Sequence, residues 1–248
     1  MLNIGVLAST KGTDMQAVID AINSKKLDAK ISVVISNKKQ AYALEMARKN
    51  NLNPIFIDQK DKSREEFDNE VSKILEQNNV ELILLIGYMR FLSPWFVNKY
   101  KNRIMNIHPS LLPKYAGGMD LDVHSEVLKN KEKVTGATLH FVDEGADTGP
   151  VIMQKEVKVN DNETADSLKK KVQKAEQEII VKAIGLYSKG KIKIYENKVK
   201  IISISPSSIK GTTAKDIIKM ARELCLTARP SQKIPAADIR ADKPLSIR

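Results

Sequence analysis

Asn106 and His108 stand two residues apart in NIHPSLLPKY (106–115), and in an extended strand that spacing points both side chains to one side. An amide and an imidazole that converge on one point can stabilise a developing oxyanion and move a proton at neutral pH. The same letters also suit a histidine satisfied by a structural hydrogen bond. A second segment, DEGADTGP (143–150), is a glycine-rich acidic loop. A carboxylate delivered from it beside His108 would favour the imidazolium, whereas a solvated turn would read the same, and calcium-loop spacing is absent. A third segment, STKGTD (9–14), follows an apolar run and precedes a helix-like one. Gly12 permits close backbone approach there, and free amides at a helix start suit an anion such as phosphate. It has neither the Rossmann glycine triplet nor the Walker lysine pattern, so a plain turn with a cap remains open.

The elements that must position these segments alternate along the chain. Strand-like runs at 3–8, 31–35, 54–57, 80–86 and 104–107 are separated by helix-like stretches at 13–24, 41–50, 63–77 and 94–100. This βαβα rhythm predicts an α/β fold with an open, mostly parallel twisted sheet and helices on both faces. Ser63 followed by Glu66 has capping-box spacing and marks a helix start. The apolar run 82–86 suits a central strand covered on both faces. In such sheets ligands bind beyond the carboxyl ends of the strands, where the three polar segments fall. Further on, 123–130 reads as a helix, 137–142 and 151–159 as strands, and 165–187 as a long helix with Leu168, Val172, Ala175, Ile179 and Ala183 on one face. Runs at 191–195 and 199–202, with Glu-Asn-Lys between, read as a late hairpin.

From residue 205 the pattern changes to a basic extension holding four of the nine prolines around one amphipathic helix at 213–226. The reading is a catalytic domain over 1–204 and an appendage over 205–248; docking, capping a site and contacting a partner all stay open for it. The lone Cys225 lies in this stretch, where a buried apolar role is expected rather than a nucleophile.

Composition narrows the class. Net charge is +11, from 41 Lys and Arg against 30 Asp and Glu, yet aromatics are only 5% and no basic run is interleaved with them, which favours a solvated lysine-rich surface over nucleic-acid binding. No apolar run is long enough to span a bilayer. The N-terminus enters a β-like run directly, without the features of a secretory signal, so a cytoplasmic protein is expected. A single cysteine excludes an internal disulfide and a cysteine-based zinc site.

Read together and in order, the three segments resemble the folate-dependent glycinamide ribonucleotide formyltransferases of the formyltransferase superfamily. The resemblance runs from about residue 2 to about residue 200 and includes SREEF (63–67), GYMRFLSPWFV (87–97), NIHPSLLPKY, HFVDEGADTGPVI (140–152) and VQKAEQE (172–178). It implies transfer of the formyl group of 10-formyltetrahydrofolate to the amine of glycinamide ribonucleotide in purine synthesis, without a metal. Asn106, His108 and Asp147 take the catalytic positions. Gly12, Thr13, Asp14 and Glu176 fall where the family holds the ribonucleotide. Arg64, Met89, Arg90, Phe91 and Leu92, with Asn106, fall where it holds the folate. The implied partners are these two small molecules, with no membrane and no nucleic acid, and a monomer or homodimer.

Two departures from the family pattern stand out. The familiar SGNGSN loop is STKGTD here, and the usual PGLHTH is replaced by AGGMDLDVH (116–124), three residues longer, so that His124 takes the last histidine's place. Within the superfamily, methionyl-tRNA formyltransferase would need a β-barrel domain larger than the residues after 204 allow, and formyltetrahydrofolate deformylase would carry a regulatory domain first. A non-enzymatic nucleotide- or RNA-binding module would leave the Asn106, His108 and Asp147 constellation a coincidence.

Overall fold

Strands β1 (Leu2–Leu7), β2 (Ala29–Ser36), β3 (Pro54–Phe56), β4 (Leu82–Leu85) and β5 (Ile104–His108) pair in parallel, with helices α1 (Thr13–Asn23), α2 (Tyr42–Lys49), α3 (Arg64–Gln77) and α4 (Pro94–Lys99) as their crossovers. The computed structural model describes residues 1–118 and 120–202; the expected extension over 205–248, with its helix and Cys225, lies outside the described residues. After α5 (Asp120–Lys129), strands β6 (Val134–Phe141) and β7 (Val151–Lys158) join antiparallel, followed by α6 (Ala165–Ser188) and the hairpin β8 (Ile192–Tyr195) and β9 (Lys198–Ile201). The main sheet has the order β3-β2-β1-β4-β5-β6-β7. Strand order therefore reverses between β1 and β4, and the loops leaving those strands diverge to opposite faces of the sheet, opening a crevice at their carboxyl ends.

Alternation along the strands builds two cores. Leu82 and Leu84 pack with Ile4, Val6 and Val34 on one face, whereas Ile83 and Leu85 pack with Leu7, Val33, Ile35 and Ile104 on the other. Burying each such side chain contributes roughly 1.5–3 kcal/mol. On the first face α6 buries Leu168, Val172, Ala175, Ile179 and Ala183, the stripe expected from its spacing. On the second, α3 buries Phe67, Val71 and Leu75, and α4 adds Phe96. The start of α3 is fixed by the expected box: Ser63 Oγ accepts from Glu66 N, and Ser63 N donates to the Glu66 carboxylate at 2.8 Å.

Several element boundaries differ from expectation, three of them with a bearing on turns and loops. Strand β6 begins at Val134 rather than 137, because Gly136 is a strand residue: a Cβ there would collide with the carbonyl oxygen of Lys155 on β7. Helix α5 begins at Asp120, three residues before the predicted 123. The late hairpin turns on two residues, Glu196 and Asn197, both at positive φ, so β9 already includes Lys198. No described helix is long and apolar enough to cross a membrane.

Candidate active site

Antiparallel pairing of β5 with β6 sets Asn106 opposite His140 and His108 opposite Thr138. The loop after β6 then folds sharply back. At Gly149 a Cβ would run into the carbonyl of Phe141, so only glycine admits that approach. Asp143 ties the loop internally, accepting from Gly145 N at 3.1 Å and Thr148 Oγ1 at 2.7 Å. Asp147 sits in the left-handed region, φ 57°, which a short polar side chain tolerates better than most.

That conformation turns the Asp147 carboxylate inward onto both strands. Its Oδ2 lies 3.2 Å from His108 Nδ1 and accepts from Gly117 N at 2.8 Å. Its Oδ1 accepts from Asn106 Nδ2 at 3.1 Å and lies 3.3 Å from His140 Nε2. Burial alone would raise this carboxyl's pKa, but hydrogen bonds from His108 and His140, joined by the Gly117 amide, outweigh it and hold the group well below the usual carboxylate range. Asp147 is therefore an anion at any physiological pH. With Nδ1 of His108 turned to the carboxylate, the remaining ring nitrogen, Nε2, is buried and has no hydrogen-bond partner. A buried, unsatisfied imidazole nitrogen next to an anchored anion is a proton donor or acceptor held ready for a ligand.

Sequence reasoning singled out Asn106, His108 and Asp147, and the structure brings all three into contact. It missed His140. Nδ1 of His140 lies 2.8 Å from the Phe141 carbonyl, which can only accept, so Nδ1 carries hydrogen; Nε2, 3.2 Å from Asn106 Nδ2 and 3.3 Å from Asp147 Oδ1, accepts from the amide in the neutral ring and donates to the carboxylate only in the protonated one. The available signal was period-two spacing in TLHF, together with a pairing partner that only the antiparallel register reveals. The altered 116–124 loop also takes part, through the Gly117 amide on Asp147; His124 lies buried on α5.

Beyond β1, Gly12 caps α1 in the left-handed conformation at φ 66°; no side chain caps that helix, and in its first turn Met15 N donates to Gly12 O at 2.9 Å. Thr13 meets α6 through Gln173 Nε2, which donates to Thr13 Oγ1 at 2.6 Å. Asp14 and Glu176 are both largely buried, on α1 and α6. Lys11 and Lys38 line an open cavity of about 340 Å³ beside Ser9 and Thr10. Across the crevice, Gly87 adopts φ 58° directly against Thr10, whose hydroxyl would meet any Cβ there.

The 87–92 segment leaves β4 with Met89 and Phe91 exposed and Leu92 packed onto the second core. Arg90 lies over the Phe67 ring at 4.2 Å, and Arg64 is exposed at the start of α3. Beneath them Asp68 is fully buried, its Oδ2 accepting from Ser93 N at 2.5 Å and its Oδ1 without a hydrogen bond. Burial raises its pKa; the Ser93 contacts, Arg90 and Arg64 offset that only in part.

The sequence profile of the formyl transferase family matches residues 2–184. The chain is similar to the phosphoribosylglycinamide formyltransferase of Escherichia coli, with 38% identity over 197 residues, covering 79% of this chain and 92% of that one. It is similar also to the trifunctional purine biosynthetic protein adenosine-3 of Chironomus tentans, 41% identical over 194 residues; these cover 77% of this chain but 14% of that protein, so the chain spans only a small part of the trifunctional relative. Among solved structures, glycinamide ribonucleotide transformylase 1 from Symbiobacterium toebii superposes with a TM-score of 0.78 and 36% identity, over 82% of this chain and 95% of that one.

Proposed function

This chain belongs to the formyl transferase family, and from that premise we propose that it transfers the formyl group of 10-formyltetrahydrofolate to the amine of glycinamide ribonucleotide. The observation that carries the reading is the buried, partnerless Nε2 of His108 beside an Asp147 carboxylate whose charge four groups secure. Attack of an amine on a formyl carbon places negative charge on the formyl oxygen, and a proton must travel from the amine to the departing folate nitrogen. His108 meets that oxygen through Nε2, with Asp147 favouring the protonated ring from the Nδ1 side. Asn106 adds a second donor by exchanging its contact to His140 for the oxyanion. A preorganised imidazolium and amide suffice for a single developing charge.

The acceptor's phosphate is assigned to the loop and helix start at Gly12, Thr13 and Asp14, with Lys11 supplying a charge where the family uses glycine-rich backbone. Glu176 faces the acceptor from α6. The folate is assigned to Met89, Arg90, Phe91 and Leu92: the exposed apolar side chains of Met89 and Phe91 cover a flat ring system while backbone groups read its edge, and Arg64 and Arg90 serve its acidic tail. The partners in this reading are two small molecules.

Purified protein mixed with 10-formyltetrahydrofolate and glycinamide ribonucleotide should release tetrahydrofolate, followed by absorbance, in proportion to formylated ribonucleotide. Folate release only with charged initiator tRNA as acceptor would overturn the choice of substrate.

A further inference from the structure

Four side chains and one backbone amide close a ring across the carboxyl ends of the parallel strands. Ser9 Oγ accepts from Met89 N at 2.8 Å and donates to Asn37 Oδ1 at 2.6 Å. Asn37 Nδ2 donates to Gln59 Oε1 at 2.8 Å, and the same oxygen accepts from Arg90 Nη1 at 2.9 Å. Arg90 follows Met89 in the chain, which completes the circuit. Ser9 lies beyond β1, Asn37 beyond β2, Gln59 beyond β3, and Met89 with Arg90 beyond β4. Asn37 is 4% exposed and Ser9 8%, so these bonds form largely away from competing water.

The ring has one possible polarity. A guanidinium only donates, so Gln59 must present its oxygen to Arg90, and the neighbouring Asn37 must then donate through Nδ2. That leaves Asn37 Oδ1 to accept the Ser9 hydroxyl hydrogen, whose oxygen in turn accepts from the Met89 N–H. Both ends demand the same direction.

We propose that Asn37 and Gln59 are positioning residues: Asn37 orients the Ser9 hydroxyl that ties the acceptor-binding loop after β1 to the Met89 amide, and Gln59 sets Arg90 in the folate-binding segment after β4. The identity of the two ligands rests on the reading above. Gln59 sets the guanidinium of Arg90 toward the donor's acidic tail. Ser9 Oγ meets the Met89 amide directly, and Asn37 fixes the direction of that hydroxyl by taking its hydrogen, so a displacement of the 9–14 loop on binding phosphate reaches Met89 through Ser9 and Gln59 through Asn37. Two sites joined in this way share their ordering cost, and each ligand improves the site of the other.

The test is steady-state kinetics with both substrates varied, on four variants. Gln59→Leu frees Arg90 and should raise KM for the formyl donor about tenfold while moving KM for the acceptor less than about twofold. Gln59→Glu keeps an acceptor for both Asn37 and Arg90 and should restore the donor KM. Asn37→Leu removes both the acceptor that orients the Ser9 hydroxyl and the donor to Gln59, and should raise both KM values by roughly three- to tenfold, with kcat falling less than either rises. Asn37→Asp keeps the acceptor for the Ser9 hydroxyl but cannot donate to Gln59, so it should raise the donor KM as Gln59→Leu does while moving the acceptor KM less than about twofold. A wild-type profile for Asn37→Asp, or a shift of one KM alone in Asn37→Leu, would overturn the proposal. If the unaltered chain turns over neither substrate, the assignment of function fails instead, and the ring is decided by amide exchange. Exchange of the Met89 N–H should then be about tenfold faster in Asn37→Leu than in the unaltered chain, and equal rates would remove the ring.

Discussion

Asp147 and Asp68 are both withdrawn from water, and burial pushes both carboxyls upward, yet one settles well below the ordinary value and the other above it. Asp147 is met on both oxygens, by Asn106, His108, His140 and the Gly117 amide. Asp68 has one short hydrogen bond, from Ser93 N, with its second oxygen unmatched and Arg90 and Arg64 acting on it only through their charge. Two imidazoles within contact distance outweigh desolvation, whereas one amide and two more distant guanidinium groups do not. A carboxylate that must stay charged to act on a neighbouring ring therefore needs donors on both sides. One that only fastens the start of α4 beneath a binding segment can do so with one.

The largest effect should come from removing the group that the Asp147 side serves. His108→Ala should lower kcat by about 10²- to 10⁴-fold while folate affinity, measured by fluorescence titration, changes little. Near-normal turnover would take His108 out of the chemistry and reduce Asp147 to a fastening of the same kind as Asp68.

Replacement of each acid by its amide gives opposite signs for stability. The folded pKa of Asp147 is depressed, so its ionised form stabilises the fold; that contribution is complete above the unfolded value of about 3.9 and is lost as pH falls through the folded one. Asp147→Asn should therefore cost about 1–3 kcal/mol at pH 7 in urea denaturation and flatten the loss of stability in acid. For Asp68 the folded pKa is raised, so stability is fullest below about 3.9 and declines as pH rises through the folded value. Asp68→Asn keeps an oxygen for Ser93 N and should be neutral or gain up to about 1 kcal/mol at pH 7, with no gain near pH 4. Equal losses at pH 7 for the two amides would erase the contrast.

Much of the architecture was legible in the sequence because the parallel strands and their helices announce themselves locally, through apolar runs and period-3.6 stripes such as Leu168 to Ala183 on α6. The Asn106 and His108 pair was legible for the same reason, since strand alternation alone puts them on one side. His140 was not, because its place depends on the register between β5 and β6, a relation between segments 34 residues apart. The early start of β6 was hidden by Gly136, which reads as a breaker until the Lys155 carbonyl against it is known. Asn37 and Gln59 gave no local sign either. Each ends an ordinary strand or loop, and only the sheet order brings them into line with Ser9 and Arg90.

Asp147 holds its carboxylate from a backbone conformation at φ 57° that costs most residues roughly 1–2 kcal/mol and glycine almost nothing. Glycine there would relieve that strain but forfeit the contacts to Asn106, His108, His140 and the Gly117 amide, so selection for heat resistance and selection for turnover meet on the same residue. A library screened only for surviving protein would therefore tend to keep aspartate at 147, and with it the anion beside His108.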